Sequence, residues 1–469
     1  MKKHLLFISI FLFTTLFSQA QWQPDTPLTN DPGSSQMDGL PNAHCIASSG
    51  DTVHVVWKDN RDGASNEIYY KRSTDGGLSW GSDIRISNNV FTSTAPSISM
   101  SGSLVIIVWS DKRDAISNNN YELYYSRSTD GGSSWSTDTR LTNDPAQSDS
   151  PSVSVSGQLV SVVWDDYREV TTKTYYKRST DGGISWGPDT KLIEPGGSPS
   201  VSVSGSVVHV VWNALGKTSY KRSKDGGLTW EASILLSIEN VITNSPSLSV
   251  SGSSVHVAWL DSRNSLKYEI YYKHSADSGV TWEADTRLTT NYTSATLFSS
   301  VAASGSDVHV VWDDNRDGNY EIYYKGSKDG GLSWGADTRL TNNAALSWHP
   351  YISASTRAVH VVWTDNRDGS DIYYKRNPTN SEVGLKEITP SGLQFTVYPN
   401  PASTEIKVQS LENINELTIV YIYGKQIYYS GVLNPTPVLR IPTTDFPAGI
   451  YIIRLKNGKR LSIQKFIKL

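Results

Sequence analysis

The chain has 469 residues, 37% hydrophobic and 19% charged, with 15 Trp and 25 Tyr; that much aromatic bulk and that little charge exclude an intrinsically disordered chain. The formal net charge of −4 is unevenly spread: the first twenty residues carry +2 and residues 393–469 carry +5, which leaves −11 on the segment between. An acidic body excludes a nucleic-acid surface and adhesion to anionic lipid, and the single cysteine, Cys45, excludes an intrachain disulfide, so packing must hold the fold.

From the N-terminus, residues 1–20 read as a secretory signal: Lys2 and Lys3, an apolar stretch Leu5–Phe17, and small residues at Ser18-Gln19-Ala20. The apolar run is short for a membrane span, no cysteine follows the cut to take a lipid, and no later stretch could cross a bilayer. The mature chain is expected to begin at Gln21.

An eight-residue phrase then recurs at a spacing of about fifty residues: Ser73-Thr74-Asp75-Gly76-Gly77-Leu78-Ser79-Trp80, and its counterparts from Ser128, Ser179, Ser223, Ser275 and Ser327. A supersecondary unit repeated at that period is a propeller blade or an array element. Each unit has four predicted strands. The first is Pro-Ser-Val-Ser-Val-Ser-Gly, as from Pro151; its small serines suit an innermost strand. The second is Val-His-Val-Val-Trp, as at Val53–Trp57, apolar on both faces. The third is Glu-Ile-Tyr-Tyr-Lys, as from Glu67. The fourth follows the Asp-Gly-Gly turn, as at Trp334–Thr341. By register, Cys45 replaces Ser97, Ser152, Ser200 and Ser247 and is expected to be a small buried filler.

The second-strand tryptophan occurs seven times (Trp57, Trp109, Trp164, Trp212, Trp259, Trp312 and Trp363), the eight-residue phrase only six. After Asp371–Lys375 no fourth strand follows, while Trp22–Thr29 matches Trp334–Thr341. The fold is therefore expected to be all-β: a seven-bladed propeller over residues 21–378, closed by its N-terminal strand so that no sheet edge stays free. A linker over 379–392 and a small β-sandwich over 393–469 complete the chain.

The phrase Ser/Thr-x-Asp-x-Gly-x-x-Trp resembles the Asp box, or bacterial neuraminidase repeat. In that family the box is a structural turn on the side away from the active site. That gives a structural role to Asp75 and Trp80, Asp130 and Trp135, Asp181 and Trp186, Asp225 and Trp230, Asp277 and Trp282, and Asp329 and Trp334, each tryptophan pinning the last two strands of its blade. The sialidases of this family also carry an Arg-Ile-Pro before the first box, a Tyr–Glu nucleophile pair, an Asp acid/base and six blades. Here residues 21–72 hold no such triplet; Arg440-Ile441-Pro442 is the sole copy and falls in the tail.

A second motif, Asp-x-Arg, follows six of the seven tryptophans: Asp59/Arg61, Asp111/Arg113, Asp166/Arg168, Asp261/Arg263, Asp314/Arg316 and Asp365/Arg367. Unit four has Asn213-Ala214-Leu215-Gly216-Lys217 instead. These turns lie on the usual ligand face of a propeller. They read either as hairpins whose Asp caps the turn and whose Arg pairs with it or packs on a Tyr, or as a ring of shallow sugar sites acting by avidity. Repeated carboxylates (Glu67, Glu122, Glu269, Glu321) give no asymmetric set from which to choose an acid and a base. The histidines in one register (His54, His209, His256, His309, His360) fall in different blades and are expected to be buried rather than metal-bound. Asp313-x-Asn315-x-Asp317-Gly318 opens like a calcium loop but has Tyr324 at the closing position. No cofactor or metal is expected.

The tail, Phe395–Ala402, Leu417–Gly424, Phe446–Leu455 and Lys465–Leu469, closely resembles the type A C-terminal sorting domain of the type IX secretion system. The resemblance implies a Bacteroidota-type bacterium, passage through the outer membrane, contact with that machinery, and removal of the tail. The functional expectation is a secreted or cell-surface binding module for glycans or proteins, with a sialidase-like glycoside hydrolase and a non-catalytic adhesive protein as alternatives.

Overall fold

The computed structural model describes residues 22–38, 44–63, 65–114, 120–193, 195–239, 241–264, 267–290, 296–378, 395–400, 402–410, 416–421, 426–430, 438–457 and 460–468. The signal segment and the 379–392 linker lie outside these residues. The chain divides into two compact units, Met1–Val383 and Gly384–Leu469, and among the described residues every regular element is a strand.

The first unit is a seven-bladed propeller. Its blades are numbered by their second strands: Thr52–Asp59, Leu104–Asp111, Leu159–Asp166, Val207–Asn213, Ser254–Asp261, Asp307–Asp314 and Ala358–Asp365. These strands are buried on both faces because each sheet packs against two others, and their seven tryptophans are at most 2% exposed. One such side chain removes roughly 150–250 Å² from water, on the order of 4–6 kcal/mol at about 25 cal/mol per Å².

Closure follows the expected route. Thr26–Pro27 pairs antiparallel with the third strand of blade 7, Thr26 opposite Tyr374 and Pro27 opposite Tyr373, and the Gln23 and Leu28 amides donate to Arg376 and Ile372. The N-terminus thereby supplies the missing fourth strand.

Three devices lock blade to blade. The first-strand serines are more than filler: Ser97, Ser99 and Ser101 accept the amides of Val153, Val155 and Gly157 in the next blade at 3.0–3.2 Å, and Ser152, Ser154 and Ser156 do the same for Val201, Val203 and Gly205. Inner-edge amides that a propeller leaves unpaired are satisfied this way. Cys45, 0% exposed, donates to the Pro96 carbonyl, and burial pushes its thiol pKa far up.

The second device corrects the expectation for the turn tryptophans. They reach across to the preceding blade rather than pinning their own strands: Trp80 meets Tyr374, Trp135 Tyr70, Trp186 Tyr125, Trp230 Tyr176, Trp282 Tyr220 and Trp334 Tyr272, edge to face at 4.9–5.2 Å. The turn itself is held by its aspartate. Asp75 accepts from the Leu78 and Ser79 amides and from Ser73 Oγ, and Asp130, Asp181, Asp225, Asp277 and Asp329 repeat this. These bonds hold the carboxylates below their ordinary range: at Asp75 the hydrogen bonds from Ser79, Ser73 and Leu78 outweigh burial and bring the pKa to about 2.

The third is the histidine row, which acts from inside each blade on the tyrosine that the next blade's tryptophan meets. His54, His209, His256, His309 and His360 each bond a third-strand tyrosine hydroxyl through Nδ1 at 2.6–2.8 Å. Burial lowers the first four to a pKa of about 4.

The second unit has a three-stranded sheet, Phe395–Tyr398, Glu405–Ser410 and Leu439–Pro442, and a four-stranded one, Gln426–Ser430, Glu416–Tyr421, Gly449–Asn457 and Arg460–Lys468. Ile406, Leu417, Ile441, Tyr451, Ile453 and Phe466 form its core. Arg440-Ile441-Pro442 is an ordinary strand here, with Arg440 beside Glu405.

Candidate functional site

Where second and third strands meet, the Asp-x-Arg motif builds one clamp six times. In blade 1, Asp59 accepts from Trp57 Nε1 at 3.0 Å, the Arg61 amide at 2.8 Å and Arg61 Nη2 at 2.6 Å. The guanidinium lies 4.3 Å over the Tyr69 ring and pairs with Asp83 of the fourth strand at 2.6 Å, which also holds Lys71 at 2.8 Å. Burial pushes the Asp59 pKa up, but hydrogen bonds from Arg61, Ser35 and Trp57 outweigh it and leave it below the ordinary value.

Asp111/Arg113 sits over Tyr124, Asp166/Arg168 over Tyr175, Asp261/Arg263 over Tyr271, Asp314/Arg316 over Tyr323 and Asp365/Arg367 over Tyr373. In blade 7 the fourth-strand carboxylate is Asp25, so the N-terminal segment completes that clamp too. In blade 4 Ala214 replaces the Asp, and Trp212 Nε1 is left buried without a partner. The six arginines retain only 14–25% side-chain exposure. The third-strand glutamates are internal as well: Glu67 bonds Ser87 and Arg85, and Glu269 bonds Thr289 and Arg287.

The asymmetry that uniform repeats hide lies one residue earlier. The residue between the tryptophan and the clamp aspartate is Lys58, Ser110, Asp165, Asn213, Leu260, Asp313 and Thr364 in blades 1–7. It sits where the second strand ends beside the start of the innermost strand, at the axial end of the hairpin face. There the first strands of blades 2, 3, 4, 5 and 7 bulge, with Ala95, Ser150, Ser198, Ser245 and His349 at φ of 51–56° immediately before a proline. Left-handed backbone on such residues costs on the order of 1–3 kcal/mol each and gathers at functional sites.

Four of the variable side chains accept an amide at the corresponding place in the next blade. Ser150 donates to Ser110 Oγ at 3.3 Å, Ser198 to Asp165 Oδ2 at 3.1 Å, His349 to Asp313 Oδ2 at 3.3 Å, and Met37 to Thr364 Oγ1 at 2.8 Å. In blade 1 the first strand is split into Ser35–Gln36 and Ile46–Ser49, with residues 37–44 where blade 2 has only Ala95 and Pro96. That insertion brings in Asp38, which pairs with Lys58 at 3.0 Å and accepts from Thr94 Oγ1 at 2.6 Å and the Ala95 amide.

Asp38, Asp165 and Asp313, with Asp149 opposite Asp165 on the first strand of blade 3, thus share this end of the blades. Burial pushes Asp165 up to about 8, with the Asp149 charge adding to it, and Asp313 up to about 6. Tyr121 and Tyr167 have phenols near enough to feel Asp149. Below, the first strands line a channel of about 180 Å³ that His44 borders. Among the described residues no group of three or more His, Cys, Asp or Glu is arranged to hold a metal; Asp313 and Asp314 of the calcium-like stretch are taken up by backbone amides and by Arg316 and Trp312. The missed signal was legible as variation at one register of an otherwise uniform repeat, and as the extra residues before Cys45.

Comparison with known proteins separates the two units. Residues 396–469 match the model of the secretion system C-terminal sorting domain. No curated protein matches the chain. Among solved structures, an ulvan lyase of a polysaccharide lyase family, bound to -[GlcA(1-4)Rha3S]-, is similar at 10% identity with a TM-score of 0.53, covering 75% of this chain and 95% of that one. The polysaccharide lyase Uly1 is similar at 10% identity and TM-score 0.53, covering 76% and 99%. A Trypanosoma rangeli sialidase aligns at 10% identity and TM-score 0.44 over 92% and 83%. At these identities the likeness is one of fold. The sorting domain marks the chain for type IX export to the cell surface or the medium.

Proposed function

We propose that the propeller is an exported glycan-binding module whose ligand sits at the axial end of the hairpin face. The observation that carries this reading is the change of residue type, blade by blade, at the position after each buried tryptophan, from Lys58 through Thr364. A fold needs the same residue there seven times; a site that grips one asymmetric ligand needs different ones. Strained amides and tyrosines at the same end support it, since sugars are held by convergent polar groups and aromatic faces. The ulvan lyase of like fold holds a saccharide, which agrees with a glycan role. The six Asp-x-Arg pairs serve in this reading as clamps that hold the face rigid, and the Asp-box character of the outer turns gives them the same structural part. A glycan array probed with the exported protein is expected to show binding that Lys58→Ala weakens at least tenfold. An array without binding, or turnover of chromogenic glycosides by the wild type, would overturn the reading.

A further inference from the structure

One pair at the axial end has no counterpart in the other blades. Asp149 and Asp165 stand directly opposite each other on neighbouring strands of blade 3. The equivalent pairs are Gln36 with Lys58, Thr94 with Ser110, Gly197 with Asn213, Asn244 with Leu260 and Trp348 with Thr364. Two like charges facing across an antiparallel pair destabilise a sheet, so nothing in the fold calls for this choice. The blade-to-blade bond does not require it either: a serine at 110 and a threonine at 364 accept the neighbouring amide equally well.

The two carboxyls also differ in what they hold. Asp149 is satisfied by Ser110 Oγ at 2.6 Å, the Ser150 amide at 2.7 Å and Gln147 Nε2 at 3.1 Å. Asp165 is 7% exposed, takes the Ser198 amide on Oδ2, and leaves Oδ1 buried with no partner. Asp313 at the same register in blade 6 has both oxygens bonded to amides, so the open valence is particular to Asp165. Gly197 beside it has no side chain to fill the space, and Tyr167, 44% exposed, stands on the same hairpin.

We propose that Asp165, with Asp149 beside it and Tyr167 at the rim, is a subsite for an uncharged sugar residue, in which the protonated Asp165 Oδ1 donates a hydrogen bond to a ligand hydroxyl. This deepens the glycan-binding reading and rests on it. A proton on Asp165 Oδ1 removes one of the two facing charges and leaves a donor there beside the acceptor oxygens of Asp149, the combination a sugar hydroxyl satisfies. A uronate or sulfated residue would meet Asp149, and Asp38 beyond it, with like charge.

The groups facing Asp165 are Asp149 across the strand pair, Tyr167 on its own hairpin, and Asp38 with Lys58 behind Asp149; blade 4 contributes backbone at Gly197 and Ser198. Burial holds Asp165 near a pKa of about 8, so affinity should fall about tenfold between pH 6 and pH 9.

The test is calorimetric titration of the exported protein with neutral cello-, manno-, xylo- and chito-oligosaccharides and with oligogalacturonate and sulfated oligosaccharides. Asp165→Asn keeps a donor on one atom and an acceptor on the other; it should bind the preferred neutral oligosaccharide within about threefold of wild type, with no loss to pH 9. Asp165→Leu, a residue that blade 5 already carries at this register as Leu260, should lose at least tenfold while melting cooperatively. Wild-type affinity in Asp165→Leu, or preference for the anionic oligosaccharides, overturns this subsite while leaving glycan binding intact. Failure of every oligosaccharide overturns the glycan reading and the subsite with it.

Discussion

Trp22 meets the Tyr324 ring edge on, with centroids 4.9 Å apart and planes at 75°. Trp22 thus supplies to blade 7 the wedge that the turn tryptophans supply to the others, in the same geometry. The Thr26–Pro27 pairing and the Asp25 clamp tie the N-terminus to blade 7, and the Trp22 contact ties it to blade 6. Trp22→Ala is expected to destabilise the propeller by roughly 3 kcal/mol, and deleting residues 21–30 by more, read as a fall in melting temperature. A double-mutant cycle with Tyr324→Ala should return a coupling of about 0.5–1.5 kcal/mol. Unchanged unfolding of the deletion would show that the ring does not depend on this closure.

The two glycines of the outer turn are not equivalent. Gly131 (φ 69°) faces open space, whereas a Cβ on Gly132 (φ 81°) would overlap the Tyr70 hydroxyl of the preceding blade. Gly131→Ala is expected to cost only the left-handed backbone penalty, about 1 kcal/mol. Gly132→Ala must also displace the Tyr70–His54 pair and Trp135, and is expected to cost about 3 kcal/mol. Equal denaturation midpoints for the two variants would show that the tyrosine yields freely.

Arg61 is a test of what the six clamps do. Its removal leaves Asp59, 1% exposed, with hydrogen bonds but no counter-charge. Stranding a buried carboxylate costs about 3–5 kcal/mol. Arg61→Ala is therefore expected to lower the melting temperature while glycan affinity, measured on the folded variant, stays within twofold. Lost affinity with unchanged stability would transfer the ligand to the clamp ring.

Much of this was legible in the repeats. The mismatch between seven tryptophans and six turns predicts closure, and Asp25 and Trp22 fall where that alignment puts them. The first-strand serines and turn tryptophans are legible as positions but their partners across the blade boundary are not, because a period says which residues are equivalent and not which neighbour they face. The axial site was hidden for a related reason. Repetition draws the eye to what recurs, while Asp165, Lys58 and Asp38 differ from blade to blade, and their convergence depends on ring closure across distant sequence.

The histidine row gives the propeller an acid limit. His54, His209, His256 and His309 titrate near 4 in the folded protein against an ordinary 6.5, because burial disfavours the cation. Folded values below the unfolded one mean that their contribution is complete above pH 6.5 and lost as pH falls from there through 4. Each is worth about 1.4 kcal/mol per unit of depression. The melting temperature should drop steeply over that window. His54→Ser, which places at blade 1 the residue that blade 3 has as Ser161, should make the drop shallower. An unchanged slope would show that His54 is not among the groups that set it.

Asp165 acts in the opposite direction. Its folded pKa of about 8 lies above the ordinary 3.8, so what it contributes is complete below pH 3.8 and lost as pH rises through 8. At alkaline pH a carboxylate is forced into a buried site opposite Asp149, and the fold bears the cost. Asn at this position fills the same volume, keeps an acceptor for the Ser198 amide and carries no charge. Asp165→Asn is therefore expected to raise the melting temperature by a few degrees at pH 8–9, as removal of a penalty of a few kcal/mol would in a ring of this size, and to leave it unchanged at pH 4. A residue whose neutral replacement stabilises the protein is retained for something other than stability. If Asp165→Asn instead destabilises the propeller at pH 8, the ionised carboxylate is part of the architecture and the subsite loses its donor.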